Sequence, residues 1–310
     1  MLPSLLHLSP IRPEEPESAE DIFNAGLSLF PGDVTVSHGD ADMAVIYRGT
    51  SQVARERGDL KFELARVEQE HERIKFAHYL WNSSVLIAEL IGSIPDYRSE
   101  PHQWGLGRWW ISGDDADRWD VKGKTVLELG AGAGLAGIVG VLAGADTVTI
   151  SDYPSDTLLK NIQANVERNI PPSLQSRVSV QPHLWGDFTT PFAERSRGFD
   201  RIIAADCLWI HASHKALAES MAYFLSDHPS ASVCVVAGFH TGRKIVASFF
   251  DLGSSSILRP VGLDIDEIYE LDVDGNRRHW DPEREEDITE RKRWLVLARL
   301  RRFRIQEADL

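Results

Sequence analysis

Residues 128–134 read ELGAGAG, with glycine at every second position. Glycine loses more backbone freedom on folding than any other residue. Such spacing therefore signals a tight turn or a backbone that a ligand approaches closely. The loop leaves one apolar run, TVLEL (125–129), and opens another, Leu135 to Ala143, as a strand feeding a helix would. A helix N-terminus offers free N–H groups and the positive end of a dipole, which favour an anionic or acceptor group. A second set of residues able to do chemistry, Asp206-Cys207-Leu208-Trp209 with His211, His214 and His240 beyond it, follows a later apolar run.

Two nucleotide fingerprints fit the loop. Gly132, Gly134 and Gly137 satisfy the dinucleotide pattern GxGxxG. Glu128, Gly130, Gly132 and Gly134 satisfy the ExGxGxG pattern of enzymes that use S-adenosylmethionine. Both require an acid at the end of the following strand to bind ribose hydroxyls, and Asp152 is placed for it. The phase favours S-adenosylmethionine, because Gly132 sits behind an extra Gly130-Ala131 rather than directly off the strand. Asp152 read alone would serve equally as a helix N-cap. Glu128 falls inside an expected buried strand, where a carboxylate needs hydrogen bonds. That predicts a backbone-positioning or cofactor-binding role.

The elements that must hold these residues follow from periodicity. Strand-like runs at 125–129, 147–151, 177–181, 199–206 and 231–238 alternate with helical stretches at 135–143, 155–168, 213–226 and 243–251. Alternation of this kind predicts an α/β fold with a parallel sheet covered on both faces. Residues 266–273 and 293–300 are two further strands with no apolar helix between them, which predicts an antiparallel hairpin. The charged stretch 281–294 reads as a solvated loop, with the edge of a substrate entrance as the alternative. Residues 77–94 carry apolar positions at three- and four-residue steps, predicting an amphipathic helix that ends near Pro95. Leu60, Leu64 and Val67 in the charged segment 51–75 fit a surface helix. Residues 1–20 are rich in Pro, Glu and Ser, a composition that predicts poor order. Short apolar pieces follow at 21–50. The expected organisation is a small, partly disordered appendage over 1–75 and one domain over 76–305.

The chain has 310 residues and a formal charge of −14, a surface that repels nucleic-acid backbones and suits a cationic ligand or basic partner. Its two cysteines, Cys207 and Cys234, form no CxxC pair. With no basic n-region at the start and no run near the ~20 apolar residues of a membrane span, the expected setting is the cytosol or nucleus. His211 and His214 lack a carboxylate or cysteine partner in helical register, so no metal site is expected.

The motifs YLWNSS (79–84), VLELGAGAGLAGI (126–138), SDYP (151–154), NIQANV (161–166), LWGD (184–187), AADCLW (204–209), AGFHTGR (237–243) and RWLVLARL (293–300) together resemble the class I S-adenosylmethionine-dependent methyltransferases. Within that class the chain is similar to the branch holding fungal nicotinamide N-methyltransferase-like proteins and small protein-lysine methyltransferases. The resemblance implies a Rossmann-like sheet of seven mostly parallel strands, closed by the antiparallel hairpin. It implies that Gly130, Ala131 and Gly132 line the methionine part of S-adenosyl-L-methionine. Asp152 would hold the ribose hydroxyls, Tyr153 and Trp185 would flank the adenine, Ala205 and Asp206 would sit at the reactive end, and Trp81 would close the site. Without the resemblance, Trp81 and Trp185 read as ordinary core tryptophans.

Methyl transfer to nitrogen needs a positioned, unprotonated amine and no acid for the neutral leaving group. Asp206 would orient that amine or take its proton, and the Trp209 ring would hold an ammonium by cation–π attraction. His211, His214 and His240 are candidate proton acceptors, with polar loop residues or helix caps as the alternative. Lysine methyltransferases of the branch usually carry Tyr or Phe where Trp209 stands, which weakens the inference to lysine. The expected activity is N-methylation of a protein lysine or N-terminal amine by a monomeric enzyme. The alternatives are a nicotinamide-like or secondary-metabolite amine as substrate, a catalytically silent cofactor-binding module, or an NAD-dependent oxidoreductase.

Overall fold

The computed structural model describes residues 1–11, 34–66, 77, 79–93 and 116–303. The strands are β1 (Leu6–Pro10), β2 (Ser37–His38), β3 (Met43–Tyr47), β4 (Leu60–Phe62), β5 (Leu80–Trp81), β6 (Thr125–Leu129), β7 (Thr147–Asp152), β8 (Val178–Pro182), β9 (Arg201–Ala205), β10 (Ser232–Gly238), β11 (Leu263–Asp272), β12 (Arg277–His279) and β13 (Trp294–Arg302). The main sheet runs β12-β11-β13-β10-β9-β6-β7-β8. The five strands from β10 to β8 pair in parallel, and β13 joins β10 and β11 antiparallel. The hairpin expected from sequence is therefore present. The sheet has eight strands rather than seven, because Arg277–His279 adds a short edge strand against β11.

Side chains of the central strands alternate between two cores. Val126, Ile150, Ile203 and Val236 face one side, packed with the helices Asn82–Gly92, Leu135–Leu142 and Asp156–Asn169. Leu127, Leu129, Ile202, Ala204 and Val235 face the other, packed with His214–Phe224 and Arg243–Phe249. Burial on both faces explains why these strands read as continuous apolar runs. From β6 the chain builds outward through β7 and β8, then returns to β9 beside β6. That reversal leaves a crevice at the C-terminal ends of β6 and β9, the place where open α/β sheets bind ligands.

Three expectations differ from what is observed. Asn82–Gly92 is buried at every position, so it is a core helix rather than an amphipathic one, and β5 precedes it where the helix was expected to begin. Within 51–75, Gln52–Arg57 is helical, but Leu60–Phe62 is a strand with Leu60 and Phe62 both buried. Leu60 and Leu64 fit a helical period, yet Leu60 and Phe62 fit a strand equally well, and pairing with β3 decides between them. Residues 2–10 form a 3-10 turn and β1, not a poorly ordered segment; Leu2 and Leu5 are buried in the same core as the helix Asn82–Gly92. The apolar piece at 22–30 lies outside the described residues.

Candidate active site

The glycine spacing has a conformational cause. Gly130, Gly132 and Gly134 have φ of 66°, 56° and 80°, in the left-handed region. There a Cβ collides with the following carbonyl. At Gly130 a Cβ would also lie 2.8 Å from Cys207 Sγ and 3.0 Å from the Trp185 ring. The loop is tied to its neighbours by backbone bonds. Ala131 N–H donates to the Ser151 carbonyl at 3.1 Å. Gly132 N–H donates to Asp152 Oδ2 at 2.7 Å, and Tyr153 N–H donates to Oδ1 at 2.7 Å. Both carboxylate oxygens of Asp152 are thus held against the loop, and the side chain lines the cleft beside it. Ser155, not Asp152, caps the next helix.

A cleft of about 810 Å³, counting space open to solvent, lies over the ends of β6, β7 and β9. Trp81, Gly130, Ala131, Gly132 and Asp152 are among the residues that line it, as are Tyr153, Trp185, Ala205, Asp206 and Trp209. Ten of the sequence candidates thus converge on one cavity. Glu128, Gly134, His211, His214 and His240 do not line it. Glu128 is buried, and its Oε2 accepts the Gly137 N–H at 2.8 Å, so it ties β6 to the first turn of the helix that follows the loop. Desolvation, offset in part by that bond, pushes its pKa up to about 8. Gly134 is the N-cap of Leu135–Leu142, and a Cβ there would press on Ile162. His211 is exposed, with Nδ1 3.0 Å from Ser248 Oγ. His214 is buried and Nε2 meets the Leu208 carbonyl at 3.0 Å, so it holds the Asp206–Trp209 turn in place.

Asp206 is the one non-glycine residue with positive φ, 56°, among the described residues. Strain of this sort persists only where the surroundings hold it. Its carboxylate accepts Ser83 Oγ–H at 2.9 Å and Gly238 N–H at 3.2 Å, and His240 Nδ1 lies 3.6 Å away. The His240 ring stacks on Trp81 at 4.6 Å between centroids. The Cys207 thiol is pushed well up, first by burial and then by the carboxylates of Asp152, Asp206 and Glu128. Cys207 is thus a packed neutral thiol, and the charge around it favours a cation.

Sequence reasoning missed His183, Ser83 and the stacking of His240 on Trp81. His183 lines the cleft, stands directly before LWGD, and meets Ser220 Oγ at 3.0 Å. Burial lowers its pKa to about 4. The stretch 281–294 is more than a solvated loop. Arg243 donates to Glu270 at 2.7 and 2.9 Å and to Glu286 at 2.6 Å, while Arg278 bridges the same two acids. With Glu270 and Glu286 at 0% and 4% side-chain exposure, the loop is clasped to β11. An isolated buried carboxylate would be costly, so arginines from two other elements must meet it.

The crossed α/β topology, the glycine turn after β6 and the acids after β7 and β9 define the Rossmann-like methyltransferase class. Residues 61–255 match the family model described as "Lysine methyltransferase", and the chain belongs to that family. A protein named "Protein N-terminal and lysine N-methyltransferase efm7" from Schizosaccharomyces pombe is 30% identical over 202 residues, covering 63% of this chain and 68% of that protein. Its counterpart from Cryptococcus neoformans var. neoformans is 33% identical over 150 residues, 47% of this chain and half the length of that relative. "Protein N-lysine methyltransferase METTL21A" from Danio rerio is 30% identical over 161 residues, 52% and 61% of the two chains. The protein is a methyltransferase. No helix among the described residues is long and apolar enough to cross a membrane.

Proposed function

We propose that the protein transfers a methyl group from S-adenosylmethionine to an amino nitrogen of a protein, a lysine side chain or an N-terminal amine. One observation carries the reading: the strained Asp206 faces the same cleft as the left-handed glycine loop and Asp152. The residues suit the cofactor. A Cβ at Gly130 would crowd Cys207 and the Trp185 ring at the wall of the cleft, and the Asp152 carboxylate lines the same cleft. Gly130 to Gly132 would accept the amino-acid part, Asp152 the ribose hydroxyls, and Tyr153 and Trp185 the base. When bound, S-adenosylmethionine supplies an electrophilic methyl group on a positively charged sulfur.

The chain's own part is positioning and charge. Asp206, its oxygens set by Ser83 and Gly238, orients the acceptor amine and takes up its proton. The Trp209 ring holds the cationic form of the amine through its face. The names of the relatives favour a protein acceptor. The aromatic lining by Tyr79, Trp81, Tyr153, Trp185 and Trp209 also suits a small cationic amine, the second reading. In either case residues 76–305 carry the catalytic groups of a monomeric enzyme, and residues 1–11 and 34–66 pack into the same core.

Calorimetry with S-adenosylhomocysteine tests the cofactor. Binding is expected, and Asp152→Ala should weaken it roughly ten-fold or more, since a lost charged hydrogen bond costs about 1.5–3 kcal/mol. No binding, or equal binding by the variant, would contradict the reading.

A further inference from the structure

We propose that the short segment Thr35–His38 is a positioning element of the active site, acting on Asp206 through three consecutive residues, Trp81, Asn82 and Ser83. The inference rests on the reading of Asp206 as the group that orients the acceptor amine.

Asn82 is fastened to this segment at three points. Its N–H donates to the Val36 carbonyl at 3.1 Å. Its Nδ2 donates to the Thr35 carbonyl at 2.8 Å, and its Oδ1 accepts from His38 Nε2–H at 2.8 Å. Asn82 is 2% exposed and His38 7%, so these bonds form away from competing water. The clamp extends to the neighbours, because β2 pairs with β5, Ser37 opposite Trp81 and His38 opposite Leu80.

The residues on either side of Asn82 are those that touch the chemistry. Trp81 lines the cleft and stacks on His240. Ser83 donates to Asp206 Oδ2 at 2.9 Å. Ser83 lies in the first turn of the buried helix Asn82–Gly92, and a shift of that turn would move its hydroxyl away from the acid. Val36 has a second part: with Asn82, His240, Lys292 and Leu295 it encloses a small cavity behind the Asp206 carboxylate. The segment therefore closes the back of Asp206 and fixes one of its two hydrogen-bond donors. A misplacement near 1 Å can cost about a hundred-fold in rate, so a remote clamp of this kind matters to transfer. Residues 35–38 precede the part of the chain that the family model matches, 61–255. The acid thus lies inside the matched region and part of its support outside it.

The test uses the full chain with His38→Ala, which removes the donor to Asn82, and His38→Gln, whose amide can replace it. Three quantities are read: S-adenosylhomocysteine affinity, transfer of label from S-adenosylmethionine into an extract of cells lacking the protein, and hydrogen exchange in peptides covering 81–85 and 236–240. For His38→Ala we expect affinity within about two-fold of the parent, transfer down about ten-fold, and faster exchange at 81–85. His38→Gln should restore most of the rate. Parent-like transfer by His38→Ala, with Asp206→Asn inactive, would overturn this inference alone. So would a parallel loss of affinity and transfer that His38→Gln does not rescue, since that is a general loss of structure. Equal transfer by the parent and Asp206→Asn would overturn the reading of Asp206 and this inference with it.

Discussion

The rings of Trp81 and His240 stack at 4.6 Å with an interplanar angle of 22°, and His240 Nδ1 stands 3.6 Å from Asp206 Oδ1. The imidazole thus supports a wall of the cleft on its face and neighbours the acid at its edge. His240→Ala removes both contacts. Transfer should fall about ten-fold while S-adenosylhomocysteine affinity changes by less, because aromatic stacking contributes only about 0.5–1.5 kcal/mol. Steady-state kinetics beside calorimetry would separate the two, and an unchanged rate would remove His240 from the site.

His183 carries the acid side of the pH dependence. Its pKa, lowered by burial to about 4, means that the folded protein holds it neutral while the unfolded chain protonates it near 6.5. Its stabilising contribution is complete above pH 6.5 and is lost as pH falls toward 4, by at most about 1.4 kcal/mol per pH unit. Urea unfolding across that window should show the decline, and His183→Asn should flatten it.

Glu128 predicts the opposite slope. Its carboxyl is raised to about 8 by burial, so the folded state favours the protonated form that the unfolded chain gives up near 4.5. Its contribution is fullest below pH 4.5 and falls as pH rises toward 8. Glu128→Gln keeps an acceptor for Gly137 and no longer titrates. The stability profile of this variant should lose its alkaline-going decline, and a profile parallel to the parent's would show that Glu128 is ionised throughout.

Arg243 holds Glu270 and Glu286, both almost wholly buried. Arg243→Met leaves two carboxylates facing each other without this partner. The expected cost is about 3–5 kcal/mol, the range for breaking a buried pair. Thermal unfolding would measure it. A loss under about 1 kcal/mol, the scale of surface pairs, would mean that Arg278 and Arg284 suffice to neutralise the cluster.

The parts of the site that lie along the chain were legible in the sequence. ELGAGAG, Asp152 and Asp206 each follow an apolar strand run, and the strand order brings those three strand ends together. The hairpin was legible for the same reason, two apolar runs with only polar residues between. What the sequence hid depends on contacts across the fold. Nothing in the YLWNSS motif marks Ser83 as a partner of an acid 123 residues away. Glu286 sits in a run of charges whose composition suggests solvent, and only the approach of Arg243 and Arg278 explains its burial. His211 and His240 look alike as loop histidines, and packing alone sends one to the surface and the other against Trp81. Leu60 had two periods available and took the one that β3 could pair with.

The most direct measurement incubates the purified chain with labelled S-adenosylmethionine and an extract of cells lacking the protein, then separates protein from small molecules. Label is expected in a protein band, recovered after hydrolysis as a methylated lysine or N-terminal residue, and absent with Asp206→Asn. Label confined to the small-molecule fraction, or a protein band equally labelled by Asp206→Asn, would contradict the proposed function.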